Sequence, residues 1–190
     1  MGRRSSISRD ALLDAAEAVV LEMGATRLTF DAVAERAGVS KGGLLYSFPT
    51  KEALLEGMVA RLCERFAATQ AAQREEGDTA ADKLKAYIQA TFAEDANTRN
   101  VSAALLAVVA NDLQLLAPVR EHQQRDVAGL VELGQQFPRA AVVWLATIGQ
   151  WFLEVLDVSP LKGDQRQQVM EELLRLAETV QTPTATANTE

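Results

Sequence analysis

The stretch Leu28–Leu55, L-T-F-D-A-V-A-E-R-A-G-V-S-K-G-G-L-L-Y-S-F-P-T-K-E-A-L-L, holds three closely spaced helix starts. Thr29, Ser40 and Thr50 are each the residue type whose side-chain oxygen caps a helix N-terminus. After Thr29, the positions Phe30, Val33, Ala34 and Ala37 give one apolar side, and Gly38 supplies the permissive backbone that ends the helix and turns the chain. Ser40 then opens a very short helix through Leu44, Leu45 and Tyr46, and Thr50 opens a third with Lys51 and Glu52 in its first turn. Two short helices around a glycine turn have helix-turn-helix spacing, and the second helix is the one expected to enter a DNA major groove.

A second local signal repeats at the same caps. A hydrophobic residue before a cap packs on the residue four past it and sets the angle at which the chain joins the helix. Ile7 pairs in this way with Leu12 around Ser8, Leu28 with Val33 around Thr29, and Val39 with Leu44 around Ser40. Pro49 and Leu54 around Thr50 form a weaker fourth pair. The pattern predicts a compact group of short helices.

The order T-F-D-A-V-A-E-R-A-G-V-S-K-G-G-L-L-Y-S-F-P-T-K-E-A-L-L resembles the DNA-binding signature of TetR-type (tetracycline-repressor-like) transcriptional regulators. The specific match runs from about Ser8 to Leu55; beyond it the likeness is one of length and helical pattern. One departure stands out. Aligned on Phe48, the position usually held by Tyr is Leu45, the aromatic is Tyr46, and the usual His or Tyr is Ser47. The resemblance implies an all-α chain with an N-terminal three-helix helix-turn-helix domain and a C-terminal helical bundle for ligand binding and dimerisation. The boundaries read from the sequence are 1–50 for the first domain, with the motif at 29–48, then 51–180 for the second and 181–190 for a disordered tail.

Within the recognition helix, Gly42 and Gly43 each cost roughly 1 kcal/mol relative to Ala. Two readings explain them. Missing side chains let the N-terminus capped by Ser40 press against DNA with its N–H groups toward phosphate, or Gly43 avoids a clash with the preceding helix. Lys41 and Tyr46 are the side chains best placed for bases or backbone, and Thr29, Ser47 and Lys51 for phosphates. Arg3 and Arg4 lie in a polar arm that either reaches phosphate or the minor groove, or is simply a tail.

Composition narrows the class. The single cysteine, Cys63, excludes an internal disulfide and fits a reducing, cytoplasmic setting. With His122 as the only histidine, a Cys/His zinc site within one chain has too few ligands, and the sequence calls for no cofactor. The N-terminus M-G-R-R-S-S lacks the apolar segment of a secretory signal. The most apolar run, Arg139–Leu156, is interrupted by Thr147, Gly149, Gln150 and Glu154 and is short for a membrane span. Net charge is −7, yet residues 1–51 carry seven Lys/Arg against six Asp/Glu, a net of +1. The remainder holds 12 against 20, a net of −8. An acidic body with a locally basic head suits specific DNA binding with little nonspecific grip.

Further along, apolar periodicity predicts helices over Ser8–Met23, Lys51 to about Arg74, and around Leu84–Phe92. Glu94–Arg99 reads as a polar turn, Val101–Leu116 as a helix, Pro118 as a boundary or kink, and Glu121–Leu133 as a helix closed by Gly134 and Pro138. Arg139–Leu156 is apolar on nearly every side. Trp144, Ile148, Trp151 and Val155 make one face, and Ala146, Gly149 and Leu153 a second, small enough for close helix contact. Gln165–Val180 repeats Val169, Leu173, Leu176 and Val180, with a second stripe at Met170, Leu174 and Ala177. Two two-faced helices suggest a four-helix interface across a two-fold axis, hence a homodimer with Ala146, Gly149, Leu153, Val169, Leu173, Leu176 and Val180 in the interface. For the effector pocket the resemblance implies Leu62, Phe66, Tyr87, Phe92, Asn111, Trp144, Ile148 and Trp151, each of which also fits ordinary core packing.

The function expected is that of a sequence-specific DNA-binding regulator and not an enzyme. It would be a repressor on pseudo-palindromic double-stranded DNA, released by a small hydrophobic or aromatic effector. Two alternatives remain at this level. One is a ligand-independent DNA-binding or DNA-organising protein. The other is a helical enzyme, although a di-iron bundle needs Glu-x-x-His pairs and the sequence has none.

Overall fold

In the computed structural model, which describes residues 7–74 and 79–180, every regular element is helical. The chain runs through α1 (Arg9–Met23), α2 (Phe30–Ala37), α3 (Lys41–Ser47), α4 (Lys51–Ala72), α5 (Ala80–Ala93), α6 (Ala96–Val109), α7 (Ala117–Val131), α8 (Phe137–Val155) and α9 (Asp164–Glu178). Single 3-10 turns occur at Ala25–Arg27, Leu113–Leu116 and Gly134–Gln136. Arg3, Arg4 and the tail at 181–190 lie outside the described residues.

The caps are those the side-chain chemistry demands. Ser8, Thr29, Ser40 and Thr50 accept from the backbone N–H groups of Ala11, Ala32, Gly43 and Ala53 at 3.1–3.2 Å. Thr79 and Asp82 complete a reciprocal capping box at the start of α5. Gly38 ends α2 in the left-handed region (φ 68°), where its N–H reaches back to the carbonyls of Ala34 and Glu35.

Two compact units result, and each draws on two stretches of chain. The first takes in the chain through Cys63 together with Ala96–Arg120; the second takes in Glu64–Asp95 and the chain from Glu121 onward. In the first, Leu12, Leu13, Ala16 and Val19 of α1 bury against Val33 of α2, Leu44 and Phe48 of the α3 segment, and Leu54, Leu55 and Met58 of α4. Val101, Leu105 and Val109 of α6 complete this core. A boundary at residue 50 therefore cuts through packed side chains, because α3 is too short to bury its own apolar residues without α4.

Arg61 ties α4 to α1 in the same unit. Its Nη1 donates to Asp14 Oδ1 at 2.6 Å and to the Asp10 carbonyl at 3.0 Å, while Nε donates to Glu17 Oε1 at 3.0 Å. The second unit centres on Leu84, Ile88 and Phe92 of α5 with Leu130, Leu133, Ala140, Val143, Leu173, Ala177 and Val180.

Three boundaries differ from the sequence reading. α6 begins at Ala96, inside the stretch read as a polar turn, because the polar first turn of an amphipathic helix carries little apolar signal. It ends at Val109, and Leu113–Leu116 forms a separate 3-10 turn capped by Asp112. Pro138 does not close a helix but stands at the start of α8, as Pro118, a boundary as read, does at the start of α7, where a missing N–H costs nothing.

Candidate nucleic-acid interface

α3 is held from behind and left open in front. Leu44 is fully buried and Phe48 nearly so, whereas Lys41, Gly42, Gly43, Leu45 and Tyr46 are exposed and Ser47 is half-buried. Tyr46 is 92% exposed, which leaves a large aromatic surface in water with no partner among the described residues. Arg9 stacks over the Phe48 ring at 4.8 Å and helps fix the end of α3.

Neither glycine of α3 is required by its own chain. A Cβ on Gly42 would come no closer than 4.0 Å to Ser40 Oγ, and one on Gly43 would meet Ser40 Oγ at 3.5 Å, an ordinary contact. Neither backbone has a positive φ. The intramolecular clash offered as one explanation of Gly43 is therefore absent.

Around α3 the polar groups keep capacity to spare. The capping oxygens of Thr29 and Ser40 each accept one backbone N–H, which leaves their hydroxyl hydrogens available as donors. Lys41 Nζ pairs with Asp31 Oδ2 at 3.0 Å, but both groups remain solvent-exposed and the pair is weak. Lys51 is exposed in the first turn of α4.

The residues expected to line an effector site do not form one group. Phe66, Tyr87 and Trp144 come together in the second unit: Phe66 meets Tyr87 edge-on at 5.2 Å, and Tyr87 lies 6.4 Å from Trp144. Three residues of α7 that the sequence pattern does not single out join them. His122 stands edge-on to Phe66 at 5.6 Å, and its Nε2 is 3.5 Å from Asp126 Oδ2. Burial, with Arg125 nearby, lowers the His122 pKa, so the ring is neutral at neutral pH and the contact is not an ion pair. Burial raises Asp126 to about 6, with Arg125 opposing. It also pushes the Tyr87 phenol upward, and the Asp126 charge adds to this, while the Gln123 and Trp144 side chains beside the hydroxyl oppose it. Gln123 is the third addition, its side chain beside the Tyr87 hydroxyl. One faint sequence signal existed: His122 and Asp126 are four apart, on one helix face.

The other expected lining residues sit elsewhere. Phe92 is buried in the α5 core with Arg166 over its ring at 4.7 Å. Trp151 donates to Glu94 Oε2 at 2.7 Å, and Ile148 is half-buried on α8. Leu62 packs on the core of the first unit. Asn111 is exposed in the turn beyond α6, not on a helix, which removes it from a buried lining.

The expected dimer residues also divide. Ala146, Gly149 and Leu153 lie on α8, in line with the exposed Val142, Leu145, Phe152 and Leu156. On α9 the expectation needs correction. Leu173 and Val180 are buried, and Val169 and Leu176 pack partly buried, all against the unit's own core. The second stripe is used the same way, with Ala177 buried and Met170 and Leu174 packed beside it. Both stripes serve one chain because α5 and α8 already flank α9, so its outward side is left to Gln167, Gln168, Glu171, Glu172 and Arg175.

Among the described residues, no helix is long and apolar enough to cross a membrane. No curated protein sequence matches the chain. Among solved structures, the chain is similar to a TetR-family transcriptional regulator from Rhodococcus sp. at 22% identity, over 90% of this chain and 97% of that one, with a TM-score of 0.69. The fatty acid degradation regulator FadR from Bacillus halodurans is 18% identical over 93% and 96%, with a TM-score of 0.67. The multidrug binding protein EbrR complexed with ethidium is 24% identical over 88% and 97%, with a TM-score of 0.63. At these identities the likeness is one of fold. The family models are more specific: residues 12–58 match that of bacterial regulatory proteins of the tetR family, and residues 81–178 match the tetracyclin repressor-like C-terminal domain. With its capped helix-turn-helix and its second helical unit both accounted for, the chain belongs to the TetR family of DNA-binding transcriptional regulators.

Proposed function

We propose that the protein is a homodimeric repressor that reads a pseudo-palindromic operator with α3 and is released from it by a small molecule held in the second unit. The observation that carries the DNA-reading part is the outer face of α3. There Tyr46 projects into solvent beside two glycines that the fold itself does not need. Tyr46 and Lys41 are assigned to bases or nearby backbone. Thr29, Ser40, Ser47 and Lys51 are assigned to phosphates, with Gly42 and Gly43 permitting close approach, and Arg3 and Arg4 extending the contact.

Pairing is assigned to the exposed face of α8. Val142 (64%), Leu145 (57%) and Leu156 (57%) are far more exposed than their side chains favour in water, and Gly149 has open space around it. A second copy across a two-fold axis covers such a face with itself. Two copies of α3 would then meet successive major grooves about 34–36 Å apart.

Release needs an effector that binds the DNA-incompetent conformer better than the competent one, since only differential affinity shifts an equilibrium. The complex of the similar EbrR with ethidium supports a small-molecule role for this fold. The aromatic group of Phe66, Tyr87 and Trp144 is the place assigned to it here.

Selection of DNA from a random pool by the purified protein tests the reading. A consensus made of two inverted half-sites, bound by a dimer, is the expected result. An asymmetric site bound by one chain would contradict it. A gel shift on that consensus with a compound library then tests release, and indifference to every compound would favour a ligand-independent DNA-binding protein.

A further inference from the structure

Four polar atoms in the second unit are shut away from water with only long or poorly aligned partners to replace it. His122 Nε2, Gln123 Oε1, Asp126 Oδ2 and Trp144 Nε1 are all buried without a well-formed hydrogen bond among the described residues: His122 Nε2 faces Asp126 Oδ2 only at 3.5 Å, and the Gln123 and Trp144 side chains flank the Tyr87 hydroxyl. Folded proteins leave few such atoms, because each carries the full cost of desolvation. The two acceptors, Gln123 Oε1 and Asp126 Oδ2, point to a donor that arrives from outside the chain.

The chemistry of that group follows from what is missing. Gln123 Oε1 and the ionised Asp126 Oδ2 can only accept, and the neutral His122 offers one further acceptor or donor according to its tautomer. Trp144 Nε1 can only donate. The set is therefore short of donors and carries a negative charge that only the exposed Arg125 offsets. Arg125, the charged neighbour on α7, is exposed, and its Nε donates to the Glu121 carbonyl at 3.3 Å. Phe66, Tyr87 and Trp144 add ring faces, which attract a cation and pack on a flat ligand. An anion would be repelled by Asp126, and a purely hydrocarbon ligand would leave the four atoms as they are.

We propose that Phe66, Tyr87, His122, Gln123, Asp126 and Trp144 form the binding site of a protonated aromatic amine, its N–H groups donating to Asp126 Oδ2 and Gln123 Oε1 and its ring lying among the aromatic side chains. This deepens the effector reading above and rests on it only for the consequence at the operator. Binding itself is a separate claim. The burial of Asp126 fits the same picture, since a bound cation relieves a carboxylate that burial alone disfavours.

The test uses three probes with one ring system: 1-naphthylmethylamine, 1-naphthylmethanol and 1-naphthoate. Each is titrated calorimetrically into the full chain at slightly alkaline pH, where Asp126 is ionised. The amine should bind, the alcohol should bind at least about tenfold more weakly, and the acid should not bind, because only the amine offers a charge-assisted donor. Asp126→Asn should remove most of the amine's advantage while the alcohol still binds. Trp144→Phe should weaken both amine and alcohol. Equal binding of amine and alcohol, binding of the acid, or no binding of the amine would each overturn the proposal, as would an Asp126→Asn protein that keeps the full preference. The wild-type comparison decides the matter even if the variants fail to fold. A parallel gel shift separates the two claims. DNA released by a neutral compound with no amine binding sinks the amine site alone, whereas amine binding to a chain that recognises no operator sinks the repressor reading alone.

Discussion

Gly57 shows how much a single position can decide. A Cβ there would lie 2.9 Å from Phe48 Cε1 and 2.9 Å from Arg9 Nη2. Arg9 can swing away; the Phe48 ring, buried at the end of α3, cannot. Gly57→Ala should gain roughly 1 kcal/mol of helix propensity and lose about 1–3 kcal/mol to overpacking. The expected outcome is a lower urea midpoint and weaker DNA binding, and an unchanged midpoint would show that the ring yields. Asp126 makes a second prediction at this scale. Its folded pKa of about 6 lies above the ordinary value of 3.8, so the folded state binds the extra proton between these values. The stabilisation is fully present below the lower value and is lost as pH rises through the higher one, by an amount on the order of 1–2 kcal/mol after solvent screening. Asp126→Asn should flatten that pH dependence in thermal denaturation; an identical profile would contradict the burial argument. Local chemistry makes the caps Ser8, Thr29, Ser40 and Thr50 legible in the sequence, since each depends only on the next three residues. Gly57, Arg61 and Asp126 are not legible there, because their roles depend on what other helices place beside them.

At the scale of elements, α8 and α9 have similar patterns and different tasks. Both carry two apolar stripes, and periodicity alone cannot say whether a stripe meets its own chain or another. Burial separates them: Leu173 and Val180 of α9 are inside, whereas Leu145 and Val142 of α8 are outside. Leu145→Lys should therefore yield monomers in analytical ultracentrifugation with an unchanged far-UV spectrum. A dimer that persists would move the interface elsewhere. A polar residue at Leu173, by contrast, should unfold the unit and report nothing about pairing, with a cost of several kcal/mol. The start of α6 is hard to read for a related reason: its polar first turn, Ala96–Asn100, looks like a loop to any reading that searches for apolar spacing.

For the whole molecule, the short N-terminal helices are evident from one motif, but the two cores are not. Each core combines segments far apart in the chain, so that α6 completes the unit containing α1–α3. The charge division sets a further expectation. A near-neutral head and an acidic remainder should make affinity for random DNA low and the gap between operator and random DNA wide. The most direct measurement of the central claim is operator and scrambled-site affinity against salt for wild type, Tyr46→Ala and Lys51→Ala. Lys51→Ala should weaken both sites alike and reduce the salt slope by about one per phosphate that the lysine neutralises. Tyr46→Ala should keep the slope and narrow the gap between operator and scrambled DNA. If both variants instead bind both DNAs as wild type does, α3 is not the surface that reads DNA.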